Sequence, residues 1–71
     1  MIITDAELDN RFRYHAPRDN QPAQYEELRE GARQLAQLIV HNTPACPEQV
    51  RAINHLDEAV MLANAAIARH G

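Results

Sequence analysis

Residues 59–68 read Ala59-Val60-Met61-Leu62-Ala63-Asn64-Ala65-Ala66-Ile67-Ala68, "AVMLANAAIA", with one polar side chain in ten positions. A helix that is apolar all round is buried all round. The whole chain has only 71 residues, which makes one small domain that is marginal alone. A hairpin partner covers one side of such a helix and a short further helix covers another. The remaining side then has to meet other copies of the chain, and the alanines permit close approach of helices. The stretch therefore predicts an all-α homo-oligomer with this helix near its centre.

Working outward, Val50, Ile53, Leu56, Val60, Ala63 and Ile67 fall on one helical face, with spacings of 3 and 4 from Ile53 onward. Pro47 followed by Glu48 makes a good first turn, because a proline there loses no intrahelical hydrogen bond. The third helix is expected over about residues 47–69. Before it, His41-Asn42-Thr43-Pro44-Ala45-Cys46-Pro47 breaks the pattern. Tyr25, Leu28, Ala32, Leu35 and Ile39 again recur at spacings of 3 and 4, which predicts a second helix over about residues 22–41. Gly31 lies inside it and weakens it by about 1 kcal/mol relative to alanine. Thr4 and Glu7 form a capping box, with Ile3 and Leu8 placed for a hydrophobic staple. That box starts a short helix over about residues 5–11. The fold expected is one domain, an antiparallel helical hairpin with the short N-terminal helix folded against it.

Composition removes several function classes. The formal net charge is −3, unlike the broad basic surface of a duplex nucleic-acid binder. No apolar run is long enough to span a bilayer, and Met1-Ile2-Ile3 is followed at once by Thr4 and Asp5, unlike a signal peptide. The single cysteine, Cys46, excludes an intrachain disulfide and reads as a small apolar filler. A cytoplasmic protein is expected. His15, His41, His55 and His70 are not paired at metal-ligand spacing, and two glycines cannot build a phosphate loop. Neither a catalytic constellation nor a metal or other cofactor is expected.

Chemistry concentrates in Phe12-Arg13-Tyr14-His15-Ala16-Pro17-Arg18, in a connector between the first two helices. Rings that stack on bases beside cations that hold phosphates suit a nucleotide or a single strand. The same rings also suit packing, with Phe12 in the core, Tyr14 beneath the connector and the arginines solvated. All seven cations are arginine, the residue suited to bidentate phosphate contacts. Arg29 and Arg33 sit one turn apart and form a phosphate-holding stripe, or else ordinary ion pairs with Glu26 and Glu30. Arg69 complements the C-terminus of its helix. Asn64, alone among apolar neighbours, needs a hydrogen-bond partner. A bond across a subunit interface is the expected one; a ligand contact is the other option.

The order "FRYHAP", then "QPAQYEELREGARQLAQLI", then a proline turn, then "LDEAVMLANAAIAR" resembles the small phage anti-CBASS cyclic-oligonucleotide sponges. The resemblance runs from Phe12 to Arg69, and its most specific parts are F-x-Y-H-x-P and A-V-M-x-A-N-A-x-I-A-R. It implies compact helical protomers assembled as a hexamer, without catalysis. Such proteins bind cyclic dinucleotides, and many bind cyclic trinucleotides at a separate site, starving a bacterial immune pathway of its messenger. By the same resemblance Tyr14 stacks on a base of the dinucleotide, His15 is a second contact, and Arg29 of Y-x-x-L-R contacts phosphate. Gly31, Arg33 and Arg69 fall to the trinucleotide site, although Gly31 offers no hydroxyl where relatives place a small or hydroxyl-bearing residue. The alternative is a helical oligomerisation or adaptor module that binds another protein, with Tyr14 and Arg29 structural.

Overall fold

A computed structural model describes residues 2–71. Three helices and no strand occur among them: α1 over Asp5–Phe12, α2 over Gln21–Asn42 and α3 over Pro47–His70. The chain is all-α, and α2 and α3 form the hairpin.

Each boundary has a local cause. The Glu7 N–H donates to Thr4 Oγ1 at 3.1 Å, which caps α1. The second half of the capping box does not form: the Glu7 carboxylate turns along the helix and pairs with Arg11 at 2.9 Å. An i, i+4 ion pair and a return to the cap compete for the same carboxylate. α2 begins one residue ahead of the expected start, with Pro22 in its first turn. Asp19 ahead of it adopts a left-handed backbone (φ 50°), a conformation that aspartate tolerates better than most residues. The α2–α3 turn is closed by side chains. Thr43 Oγ1 donates to the Ile39 carbonyl at 2.6 Å and Gln49 Nε2 donates to the Thr43 carbonyl at 3.1 Å.

The protomer is a single layer, 45 × 32 × 15 Å. A helix with its side chains is roughly 10–12 Å across, so the thin dimension leaves room for one sheet of helices and nothing beneath it. The radius of gyration is 15.5 Å, against about 11 Å for a compact chain of this length. No apolar residue among those described is fully buried. Ala32, Leu56 and Val60 line the α2–α3 seam and are only half-buried. Leu35, Leu38, Val50, Met61 and Leu62 stand exposed. The accessible surface is 5797 Å², whereas a folded monomer of this mass exposes about 4,450 Å².

Phe12 departs from expectation. It was expected in the core and is 81% exposed. α1 is eight residues long with Leu8 and Phe12 as its only large apolar residues, a stripe too short to drive packing along α3. It meets only the C-terminal end of α3, through long polar contacts: Asn10 Nδ2 to the Arg69 carbonyl at 3.4 Å and Arg69 Nη2 to the Arg11 carbonyl at 3.5 Å.

One side chain holds the N-terminus of α2, the connector and the end of α3 together. Gln21 is 7% exposed, the single buried residue among those described. Its Oε1 accepts from the Arg18 N–H at 2.9 Å and its Nε2 donates to the Ile67 carbonyl at 3.3 Å. Gln21→Ala removes both bonds and strands the Arg18 donor. The expected loss is about 1–3 kcal/mol, measured as a lower Tm by circular dichroism at constant protein concentration; an unchanged Tm would contradict the role.

Candidate functional site

The connector after α1 leaves the helix in an extended conformation at Arg13 (φ −93°, ψ 158°). Extended backbone sends successive side chains to opposite sides. Tyr14 consequently stands out from the layer, 84% exposed. His15 points back, half-buried, and its Nε2–H donates to the Asn10 carbonyl in the last turn of α1 at 2.6 Å. That bond satisfies a carbonyl left without an intrahelical partner and fixes the backbone on which Tyr14 is carried.

Tyr14, His15, Tyr25, Arg29, Asn64 and Arg69 line one open cavity of about 460 Å³ between the connector, α2 and α3. Roughly 300–1,000 Å³ is the range of small-ligand pockets. Arg11 and Arg13 complete its cationic rim, and no carboxylate lines it. An acidic chain thus collects four of its seven arginines around two tyrosine rings. Arg11 is paired with Glu7, and Arg29 with Glu26 one turn before it. Arg13 and Arg69 have no ion-pair partner among the described residues.

The positions singled out by sequence divide into two sets. Tyr14, His15, Arg29 and Arg69 come together in this cavity. Gly31 and Arg33 do not. Two apolar grooves flank the α2–α3 seam and share Ala32, Leu56 and Val60; Gly31 opens on the larger, about 740 Å³, and Arg33 on the other, about 340 Å³. Within one protomer Gly31, Arg33 and Arg69 belong to three different surfaces. Arg33 is also engaged by Glu30, Nη2 to Oε1 at 2.8 Å. The hydrogen bond from Arg33 holds the Glu30 carboxyl below its usual range, and the bond from Glu30 raises Arg33 further. At Gly31 a Cβ would meet nothing within 4 Å, so no contact inside the protomer requires glycine there.

Six lining residues lie outside the site residues named from sequence: Arg11, Arg13, Tyr25, Asn64, Ala65 and Ala68. Tyr25 was assigned to the hairpin face by its spacing; it is half-buried at the edge of that face and turns part of its ring to the cavity. For Asn64 the sequence favours a bond across a subunit interface over a ligand contact. The Asn64 Oδ1 is shut off from solvent with no hydrogen-bond partner among the described residues.

The ion pair on Arg29 has a measurable consequence. An anion reaching Arg29 competes with Glu26. Exposed pairs of this kind are worth about 0–1 kcal/mol, so Glu26→Gln should raise the affinity for an anionic ligand by up to about 5-fold. Titration calorimetry of the two proteins checks this; a weaker-binding Gln variant would show that Glu26 orients Arg29 instead of restraining it.

Fold and site together define a class. A one-layer helical hairpin carries an open pocket of rings and arginines, and no group of three or more His, Cys, Asp or Glu among the described residues is placed to hold a metal. That is a small helical module whose pocket has the chemistry to take an anionic, ring-bearing ligand. The model of the Acb2/Tad1 hairpin domain matches residues 4–68, and the chain belongs to that family, the anti-CBASS cyclic-oligonucleotide sponges. The family is of a binding type and not a catalytic one. No curated protein and no solved structure matches the chain significantly. No described helix is long and apolar enough to cross a membrane.

Proposed function

We propose that the chain is a non-enzymatic sponge that binds and sequesters cyclic dinucleotides, such as cyclic GMP–AMP, and so blocks CBASS-type antiphage signalling in the bacterial cytoplasm. The observation that carries this reading is the cavity in which Tyr14, Tyr25, Arg29 and Arg69 converge without a carboxylate. Rings stack on bases of any kind, and arginines hold phosphates in bidentate fashion. Low overall basicity is no obstacle, since a cyclic dinucleotide carries two phosphates only.

The working form is a homo-oligomer, and family membership favours a hexamer. A surface larger than a folded monomer of this mass exposes, with no buried apolar residue among those described, supports self-association. The cavity is open on one side in the protomer, and a two-fold interface supplies a second Tyr14 and a second Arg29 to a ligand that is itself roughly two-fold symmetric. A cyclic trinucleotide suits a three-fold axis in the same way. Gly31, Arg33 and Arg69 can serve such a second site only by contributions from different copies, because one protomer does not gather them.

Isothermal titration with cyclic GMP–AMP and cyclic tri-AMP, followed by denaturation and chromatography of the released ligand, tests the function. Tight binding with intact nucleotide recovered supports the sponge. Released linear nucleotide would make the protein a hydrolase, and no heat with any cyclic nucleotide would leave an adaptor that binds another protein.

A further inference from the structure

We propose that Asn64 is a base contact of the cavity, its amide bonding the polar edge of the base that stacks there and accepting adenine and guanine alike. This rests on the cavity being the cyclic dinucleotide site.

The motive is an unpaired atom. Asn64 Oδ1 is covered and has no hydrogen-bond partner among the described residues, while the side chain lines the cavity with Tyr14 and Tyr25. A covered acceptor left without a donor is unfavourable, so this orientation of the amide is one that a bonded alternative would displace. The helix explains the position. Val60, one turn before, lies in the α2–α3 seam, whereas Asn64 lines the cavity, so Asn64 sits at the margin where seam gives way to cavity. Ala65 and Ala68 are the other α3 residues on this wall besides Arg69. Their small side chains leave the amide in reach of a flat ligand lying against them.

An amide has two ends and a broad, roughly two-fold torsion at χ2. Turning it over brings Oδ1 to the cavity and Nδ2 toward the Val60 carbonyl one turn back. Asn42 makes that same bond in this protein, Nδ2 to the Leu38 carbonyl at 2.7 Å. With a base present, both ends are then satisfied: Nδ2 by the helix, Oδ1 by an N–H on the base. A neutral amide that accepts in one orientation and donates in the other accommodates adenine and guanine alike. A carboxylate at the same place only accepts, which suits the two adjacent N–H donors of guanine and repels the ring nitrogen acceptor beside the adenine amine.

The test uses the full chain and three nucleotides: cyclic di-GMP, cyclic di-AMP and cyclic GMP–AMP. Calorimetry is run on the wild type, Asn64→Leu and Asn64→Asp, with sedimentation of each. Asn64→Leu should bind all three roughly 5- to 30-fold more weakly, the loss of about one or two kcal/mol, at unchanged sedimentation. Asn64→Asp should shift the ratio of affinities toward cyclic di-GMP. Asn64→Leu binding like the wild type overturns the proposal and leaves the site itself standing. A changed sedimentation coefficient in Asn64→Leu overturns it in favour of an amide bonded between copies. An unchanged di-GMP to di-AMP ratio in Asn64→Asp overturns the base contact in favour of the ribose. A wild type that binds none of the three overturns both this inference and the site.

Discussion

Tyr14→Ala is expected to abolish cyclic dinucleotide binding in titration calorimetry while leaving helix content and sedimentation as in the wild type. The ring is 84% exposed, so its removal costs the protomer little. Substitutions at exposed positions of this kind change stability by about 0.5 kcal/mol or less. Its contribution to the ligand is much larger. Stacking a base on an aromatic ring is worth about 1–3 kcal/mol. A two-fold site presents the ring twice, so the loss is roughly 2–6 kcal/mol, about 30-fold to more than 10,000-fold in affinity. Tyr14→Phe keeps the ring and should retain most of the binding. If Tyr14→Ala bound normally, the ring would be packing between copies and the cavity would have to hold its ligand through Tyr25 and the arginines alone.

Leu62→Glu is expected to break the assembly. In the protomer Leu62 is 63% exposed on α3, and a charge there would be harmless to an isolated chain. In an oligomer centred on α3 the same change removes about 1.5–3 kcal/mol of apolar burial and leaves a carboxylate unpaired in an interface, a penalty of several kcal/mol more. That sum is repeated in every copy. Sedimentation should show a small species, Tm should fall, and nucleotide binding should fall with it, because the open side of the cavity loses its second wall. In parallel, the Tm of the wild type should rise with protein concentration, as for any fold stabilised by association. Unchanged sedimentation of Leu62→Glu would show that α3 meets no copy at this face.

The periodic segments were legible because helix burial is written at intervals of 3 and 4. α2 and α3 follow directly from Tyr25 to Ile39 and from Ile53 to Ile67. Thr4 and Pro47 mark helix starts by bonds made within one turn. Tyr25 shows where the same logic stops. Spacing assigns a residue to a face, but not to its margin, and at the margin a tyrosine packs with one edge and meets a ligand with the other. Phe12 shows a second limit. An aromatic in a short amphipathic helix is core only if something lies opposite it, and within the protomer nothing does.

By itself the sequence determined the helices, the hairpin and the need for more apolar partners than one hairpin offers, because each depends on residues within a few turns of one another. It also carried the F-x-Y-H-x-P and A-N-A-x-I-A-R elements by which the family resemblance was drawn. The tertiary structure decided which of the marked residues meet. Gln21 finds its acceptor 46 residues away at Ile67, and His15 is committed to the Asn10 carbonyl. Tyr14 and Arg29 are joined by Arg69 from the far end of α3, while Gly31 and Arg33 face separate grooves. Such meetings depend on how two long helices cross and where a connector folds back, and no local spacing encodes that geometry.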